Sequence, residues 1–192
     1  YVDLGVESNP ATNMTFACWL NPIVSASSSN QSIIDYGKFN VWLNDNDTLV
    51  VYTNTGGVGV NYAISDLNNK WSRLVVSVSG TTTSVYIDGT FIQSKTTTAL
   101  SGTANTSVIG REGTTKYYKG KLSDLQIWDV AWAQSDVTFD YNNPQHLVTD
   151  NSASSIALSN LKGYWHLSEG NGNVAFNSGV PLGSELIPDG DL

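Results

Sequence analysis

A chain of 192 residues with a formal charge of −8, nine basic residues against seventeen acidic ones and 40% hydrophobic content has the size of one large domain, able to bury about two thirds of its unfolded surface. The only grouping of basic residues is the spaced Lys116, Lys119 and Lys121, so the field repels nucleic acid, and no apolar run reaches the length of a membrane span, which argues against membrane insertion. The single Cys18 sits inside the apolar run 16–20; it cannot form an internal disulfide and reads as a small buried side chain.

The first ten residues, YVDLGVESNP, have neither the basic start nor the apolar centre of a signal peptide, and residues 1–5 read as a strand already under way. Asn9-Pro10 punctuates before a strand over 14–20, Asn21-Pro22 ends it, and the Ser-rich 25–32 follows as a loop. Residues 33–37, 39–43 and 49–53 give three short strands broken by Gly37-Lys38 and by the turn Asn44-Asp45-Asn46-Asp47; residues 58–64 give a fourth. In 71–89 Leu74, Val76 and Val78 share one parity and Val85 and Ile87 share another, so two strands pair across the polar 79–83. Asp88-Gly89 supplies a tight turn, and Phe91-Ile92 resumes the pattern as the third strand of a meander. The one helix expected is short, 135–141, with Ser135 as cap and Asp136 near its positive end, stopped by Asn142-Asn143-Pro144. Residues 150–155 read as a linker, and 156–168 restart an apolar pattern. Many short strands without alternating helices predict an all-β, two-sheet antiparallel β-sandwich.

Four stretches in order carry a resemblance: FACWLNP at 16–22, WSRLVVSVSGTTTSVYIDG at 71–89, VIGREG at 108–113 and YKGKLSDLQIWDVAW at 118–132. Together they resemble laminin-G-like, concanavalin A-like jelly rolls, the lectin-glucanase superfamily that includes pentraxins. In such modules a YVDLG stretch lies after an earlier strand, so the resemblance implies a native start further upstream. It also makes Trp19, Trp71 and Trp128 core-type positions. The Tyr164-Trp165 strand and the E-G-x-G loop at 169–172 resemble the sequence that commonly begins such a unit. Here that segment closes residues 1–192 as a single domain, pairing beside the N-terminal strand, or else begins a second module; the exposure of a dangling Tyr164-Trp165-Leu167 strand favours closure. Residues 180–192 read as a linker toward a following module.

Some members of the superfamily are glucanases, which need an E-x-D-x-x-E arrangement of paired carboxylates. That motif is absent: Glu7, Glu112, Glu169 and Glu185 have no acidic neighbour two residues away, and Asp45/Asp47 falls in a turn. His146 and His166 are the only histidines, too few with one Cys for a zinc site; His166 is expected to face solvent or donate to a backbone carbonyl. No catalytic role is expected. The resemblance does imply a structural Ca2+ held by Asp124 of the closing strand with Glu169 and Asn177, although Asn177 stands where the family often has Asp. For ligand binding, Tyr36, Trp42, Tyr52 and Tyr62 among Asn44, Asp45 and Asp47 match the needs of a sugar, whose C–H faces stack on aromatic rings and whose hydroxyls bind Asn and Asp. The expected function is a non-catalytic carbohydrate-binding or adhesion module of a larger extracellular, cell-surface or phage-tail (virion) protein, with a cell-surface or extracellular glycan and neighbouring modules as partners. The alternative is a structural or protein-interaction spacer without glycan binding.

Overall fold

The computed structural model describes residues 1–24, 30–168 and 175–178. The strands, in chain order, are β1 (Val2–Ser8), β2 (Asn13–Pro22), β3 (Gln31–Tyr36), β4 (Phe39–Asn44), β5 (Thr48–Thr53), β6 (Gly56–Ala63), β7 (Ser72–Ser79), β8 (Thr82–Ile87), β9 (Thr90–Thr96), β10 (Ala104–Ile109), β11 (Arg111–Glu112), β12 (Lys116–Tyr117), β13 (Gly120–Trp128) and β14 (Leu161–Trp165), with one α-helix, α1 (Gln134–Asn142). They form two six-stranded antiparallel sheets, β1-β10-β3-β4-β5-β6 and β14-β13-β2-β7-β8-β9, plus the small hairpin β11-β12. This is the expected two-sheet jelly roll, and β7-β8-β9 is the expected meander.

Alternation sets the core. In β4, Phe39, Val41 and Leu43 are buried while Asn40, Trp42 and Asn44 are only partly covered, so one face of the first sheet points at the second and the other points outward. Phe16, Cys18 and Leu20 of β2 and Leu74, Val76 and Val78 of β7 meet that inner face. Each fully buried side chain of this kind contributes about 1.5–3 kcal/mol of hydrophobic stabilisation. Burial also raises the Cys18 thiol to about 12, so at neutral pH it stays a thiol and behaves as a packing group.

The second sheet is covered on its outer face too, which explains why β7 reads LVV with apolar residues in both parities. Ala17, Val75 and Trp128 pack there beneath Trp132, Val137 and Val148 from the segment that follows β13. Thr15 Oγ1 ties that cover to the sheet, donating to the Val130 carbonyl (2.7 Å) and accepting from the Trp132 N–H (3.0 Å). Gly120 opens β13 where only a glycine fits: its φ is +134°, and a Cβ would stand 2.2 Å from the Asn21 carbonyl oxygen.

Three details differ from expectation. The helix begins at Gln134, and its first turn is closed by Asp136 Oδ2 accepting the Ala133 N–H (3.0 Å); Ser135 lies inside the helix and does not cap it. The last strand, β14, pairs with β13 at the edge of the second sheet, whereas the N-terminal strand β1 pairs with β10 in the other sheet. Trp71 is 47% exposed, while Trp128 is fully buried, because Trp71 precedes β7 and its ring lies outside the sandwich. His166 is exposed to solvent as expected, with Nδ1 3.3 Å from Asp124 Oδ1. Residues 180–192 and Glu169 lie outside the described residues.

Candidate binding site on the outer face of the first sheet

Register brings the site together. Asp35 of β3 pairs with Asn40 of β4, Asn40 with Tyr52 of β5, and Tyr52 with Gly57 of β6. These four form one row across the outward face, with Trp42 one pleat further along β4. The Trp42 and Tyr52 rings stack diagonally, centroids 5.2 Å apart and planes 12° from parallel, the geometry that favours offset aromatic pairs. Gly57 makes this arrangement possible: a Cβ there would stand 2.0 Å from Tyr52 Cε2, so the ring occupies the space a side chain would need. The rings border a cavity of about 330 Å3 whose walls carry Asp35, Lys38, Asn40, Asn54, Asn105 and Glu112.

Hairpin β11-β12 forms one side. Glu112 pairs with Lys116, and their side chains meet at 3.1 Å. The Lys116 ammonium also sits 3.5 Å from the Trp42 ring centroid, a cation–π contact. A parallel ring and an ammonium at these distances do not fit on one face, so Tyr52 covers one face of Trp42 and Lys116 the other. Arg111 anchors the hairpin by lying 3.8 Å over the Tyr1 ring.

Asp35 is the chemically distinctive group. Burial, and then the charge of Glu112, raise its carboxyl to about 6 against the opposing pull of Lys38 and Lys116. With its amide turned so that nitrogen donates, Asn40 reaches Asp35 Oδ1 at 2.9 Å. Among the described residues no cation lies within 4.0 Å of Asp35 to form an ion pair.

Of the residues expected to bind ligand, Trp42, Tyr52 and Asn44 share this outer face. Asp45 and Asp47 lie in the turn at its end. There Asp45 N–H donates to Asn30 Oδ1 (2.9 Å), and the Asp47 carboxylate accepts from the backbone and hydroxyl of Ser65 at 2.7 and 3.0 Å. Tyr36 is only 3% exposed and belongs to the inner core, because it shares the parity of Ile34. Tyr62 also packs against that core, from the edge strand β6. Asp35, Asn40, Glu112 and Lys116 were not singled out from sequence. The signal for the first two was present: Asp35 alternates with Ile34 and Tyr36, and Asn40 with Val41. Glu112 and Lys116 come from a distant hairpin and left no such trace.

A second cavity, of about 250 Å3, lies on the outer face of the other sheet between β13 and the segment after α1. Here the charges are satisfied. Arg73 is fully buried, with its guanidinium donating twice to the Asp140 carboxylate at 2.8 Å and once to the Asp124 carbonyl at 3.0 Å; Asp140 keeps it firmly protonated despite burial. Trp19 borders this cavity, with Arg73 5.8 Å over its ring. Asp124 occupies a β-bulge with φ +47°, and its carboxylate meets Tyr164 Oη (3.1 Å), His166 Nδ1 (3.3 Å) and Ser123 Oγ (3.1 Å). Burial and the neighbouring Asp124 raise the Tyr164 phenol to about 12, so it remains a donor. Asn177 Oδ1 accepts the Tyr164 N–H (2.8 Å). Asp124 and Asn177 thus have their oxygens engaged within the protein, and among the described residues no group of three acidic, His or Cys side chains converges as a metal site.

Two facing antiparallel sheets in this strand order, with a polar and aromatic recess on an outer face, define a lectin-type jelly roll. Residues 1–138 match the family model of the concanavalin A-like lectin/glucanases superfamily, and the chain belongs to that family. No curated protein matches it. Among solved structures it is similar to a Bacteroides ovatus protein provisionally described as carbohydrate-binding, with a TM-score of 0.65 and 16% identity over 91% of this chain and 52% of that one. It is also similar to the heptameric SAP-like pentraxin of Limulus polyphemus, with a TM-score of 0.52 and 17% identity over 73% and 72% of the two chains. A third likeness is to the binding domain of botulinum neurotoxin DC in complex with SialylT, with a TM-score of 0.53 and 14% identity over 71% and 36%. The chain spans about half the length of the first of these and about a third of the neurotoxin domain. At such identities the likeness is one of fold.

Proposed function

We propose that this chain is a non-catalytic glycan-recognition module, working in adhesion at an extracellular, cell or virion surface as part of a larger protein. The observation that carries this reading is the recess at Trp42 and Tyr52, where a stacked aromatic pair adjoins Asp35, Asn40, Asn54 and Asn105. The carboxamides both donate to and accept from sugar hydroxyls and the carboxylate accepts from them, while the aromatic pair receives the ring's C–H face. Structural relatives described as carbohydrate-binding or as complexed with SialylT support the reading at the level of fold. A shallow site of this kind gives weak single-site affinity, raised by multiple copies in an assembly.

A structural Ca2+ drawing on Asp124, Asn177 and Glu169 would have to displace the hydrogen bonds that Asp124 and Asn177 make; these two residues border the second sheet, not the Trp42 recess, so the proposed contact with sugar does not involve calcium. The test is a broad glycan array probed with the purified protein, with calcium and with chelator. Binding in both arms supports the reading. Binding abolished by chelator would transfer the ligand contact to a metal, and silence across the array would move the function to a spacer module that binds no sugar.

A further inference from the structure

Building on the glycan reading above, we infer that the Trp42 recess selects a sugar carrying a free amine, a 2-amino-2-deoxy sugar, and that Lys116 holds the amine's place in the unliganded protein. An ammonium is recognised by an aromatic face together with a carboxylate, and the molecule already displays that pairing: Lys116 Nζ lies 3.5 Å from the Trp42 centroid and 3.1 Å from Glu112 Oε2. The contact is internal, but its chemistry is that of a ligand. The Lys116 and Glu112 side chains are 26% and 23% exposed, so the lysine can swing into water without unpacking the core, leaving Trp42 and Glu112 open.

Asp35, on the wall of the recess, also lacks a close ion-pair partner. Asp35 has its Asn40 hydrogen bond but, among the described residues, no ion-pair partner within 4.0 Å, and Lys38 and Lys116 do not offset its burial and the Glu112 charge. An incoming ammonium supplies the missing charge. An acidic sugar brings like charge to Asp35 and Glu112, gaining only from Lys38 and Lys116, on a chain of net charge −8; an N-acetylated sugar leaves Asp35 without a close ion-pair partner. A lysine side chain from a protein would satisfy the carboxylates, but it offers no hydroxyls to Asn40, Asn54 and Asn105. That complement favours a sugar ring.

Calorimetric titration with three probes tests this: a β-1,4-linked glucosamine tetrasaccharide, its fully N-acetylated counterpart, and a short lysine-containing peptide. The free-amine oligosaccharide is expected to bind at least tenfold tighter than either of the others at pH 7. Lys116→Met should tighten it about fivefold by removing the tethered competitor, and Asp35→Asn should abolish the preference for the amine. Equal or tighter binding of the N-acetylated sugar would overturn the amine selectivity while leaving glycan recognition intact. Equal binding of the peptide would overturn the assignment to a sugar, and failure of every sugar to bind would remove the glycan reading itself.

Discussion

The two outer faces of the sandwich each hold a cavity with aromatic rings and carboxylates, yet they are built to opposite ends. Beneath α1, Arg73 and Asp140 answer each other bidentately, with side chains 2% and 4% exposed, and Asp124 is met by three side chains. On the β3-β4-β5 face Asp35 has, among the described residues, no ion-pair partner within 4.0 Å, and Trp42 is covered by a lysine that solvent can reach. A satisfied polar cluster fastens the cover of the second sheet onto its strands; a partly answered one leaves interactions for a ligand to make. Residue types alone do not separate the two.

The largest effect should follow from breaking the satisfied cluster. Arg73→Ala leaves Asp140 charged and buried without a partner, and is expected to lower stability by about 3–5 kcal/mol, read as the urea midpoint. The double change Arg73→Met with Asp140→Leu should recover most of that loss. A drop below about 1 kcal/mol for Arg73→Ala would show that the pair is not what fastens the helix to the sheet.

Next comes the support of the open site. Gly57→Val puts atoms where the Tyr52 ring lies and should displace it from Trp42, with about 1–3 kcal/mol of strain and at least tenfold weaker glycan binding by calorimetry. Unchanged affinity would mean that the stacked pair is not part of the binding surface.

A smaller effect belongs to Asp35, and its sign is unusual for a carboxylate. Its folded-state value of about 6 lies above the ordinary 3.8, so the folded protein holds the proton more tightly than the unfolded chain. Stability therefore falls as pH rises from about 4 to 6, and the penalty persists above that window. Asp35→Asn removes the penalty and should stabilise the protein at pH 7 by about 1 kcal/mol once partial exposure is allowed for, with the gain vanishing below pH 4. A destabilised variant at pH 7 would contradict this account of the site's charge. The smallest expected effect is that of chelator, which should leave glycan affinity at the Trp42 recess unchanged within a factor of two.

Much of the fold was legible because parity carries it: the alternation of β4 and the meander of β7 to β9 fix which side chains face inward. Trp42 and Tyr52 were legible as aromatic residues among Asn and Asp, not through parity. Parity separates them from Tyr36, whose aromatic character suggests a ligand contact although its parity with Ile34 places it in the core. Arg73 was equally readable in principle, since a charge of the same parity as Val75 in an apolar strand must find a partner, but that partner, Asp140, lies in a helix after another strand. Glu112 and Lys116 could not be placed at all, because a two-residue strand pair has too short a pattern to give a period, and only the folded chain carries it to Trp42.

The most direct measurement is the glycan array repeated with Trp42→Ala beside the wild-type protein, with the circular dichroism melt recorded for both. Trp42 lies on the outer face, outside the core, so the variant should keep a cooperative melt and lose the signals the wild type gives. A variant that keeps its fold and still binds the same glycans would contradict the assignment of the recess. So would one that melts while the remaining folded fraction binds unchanged, since Trp42 would then be a packing residue and the ligand would lie elsewhere.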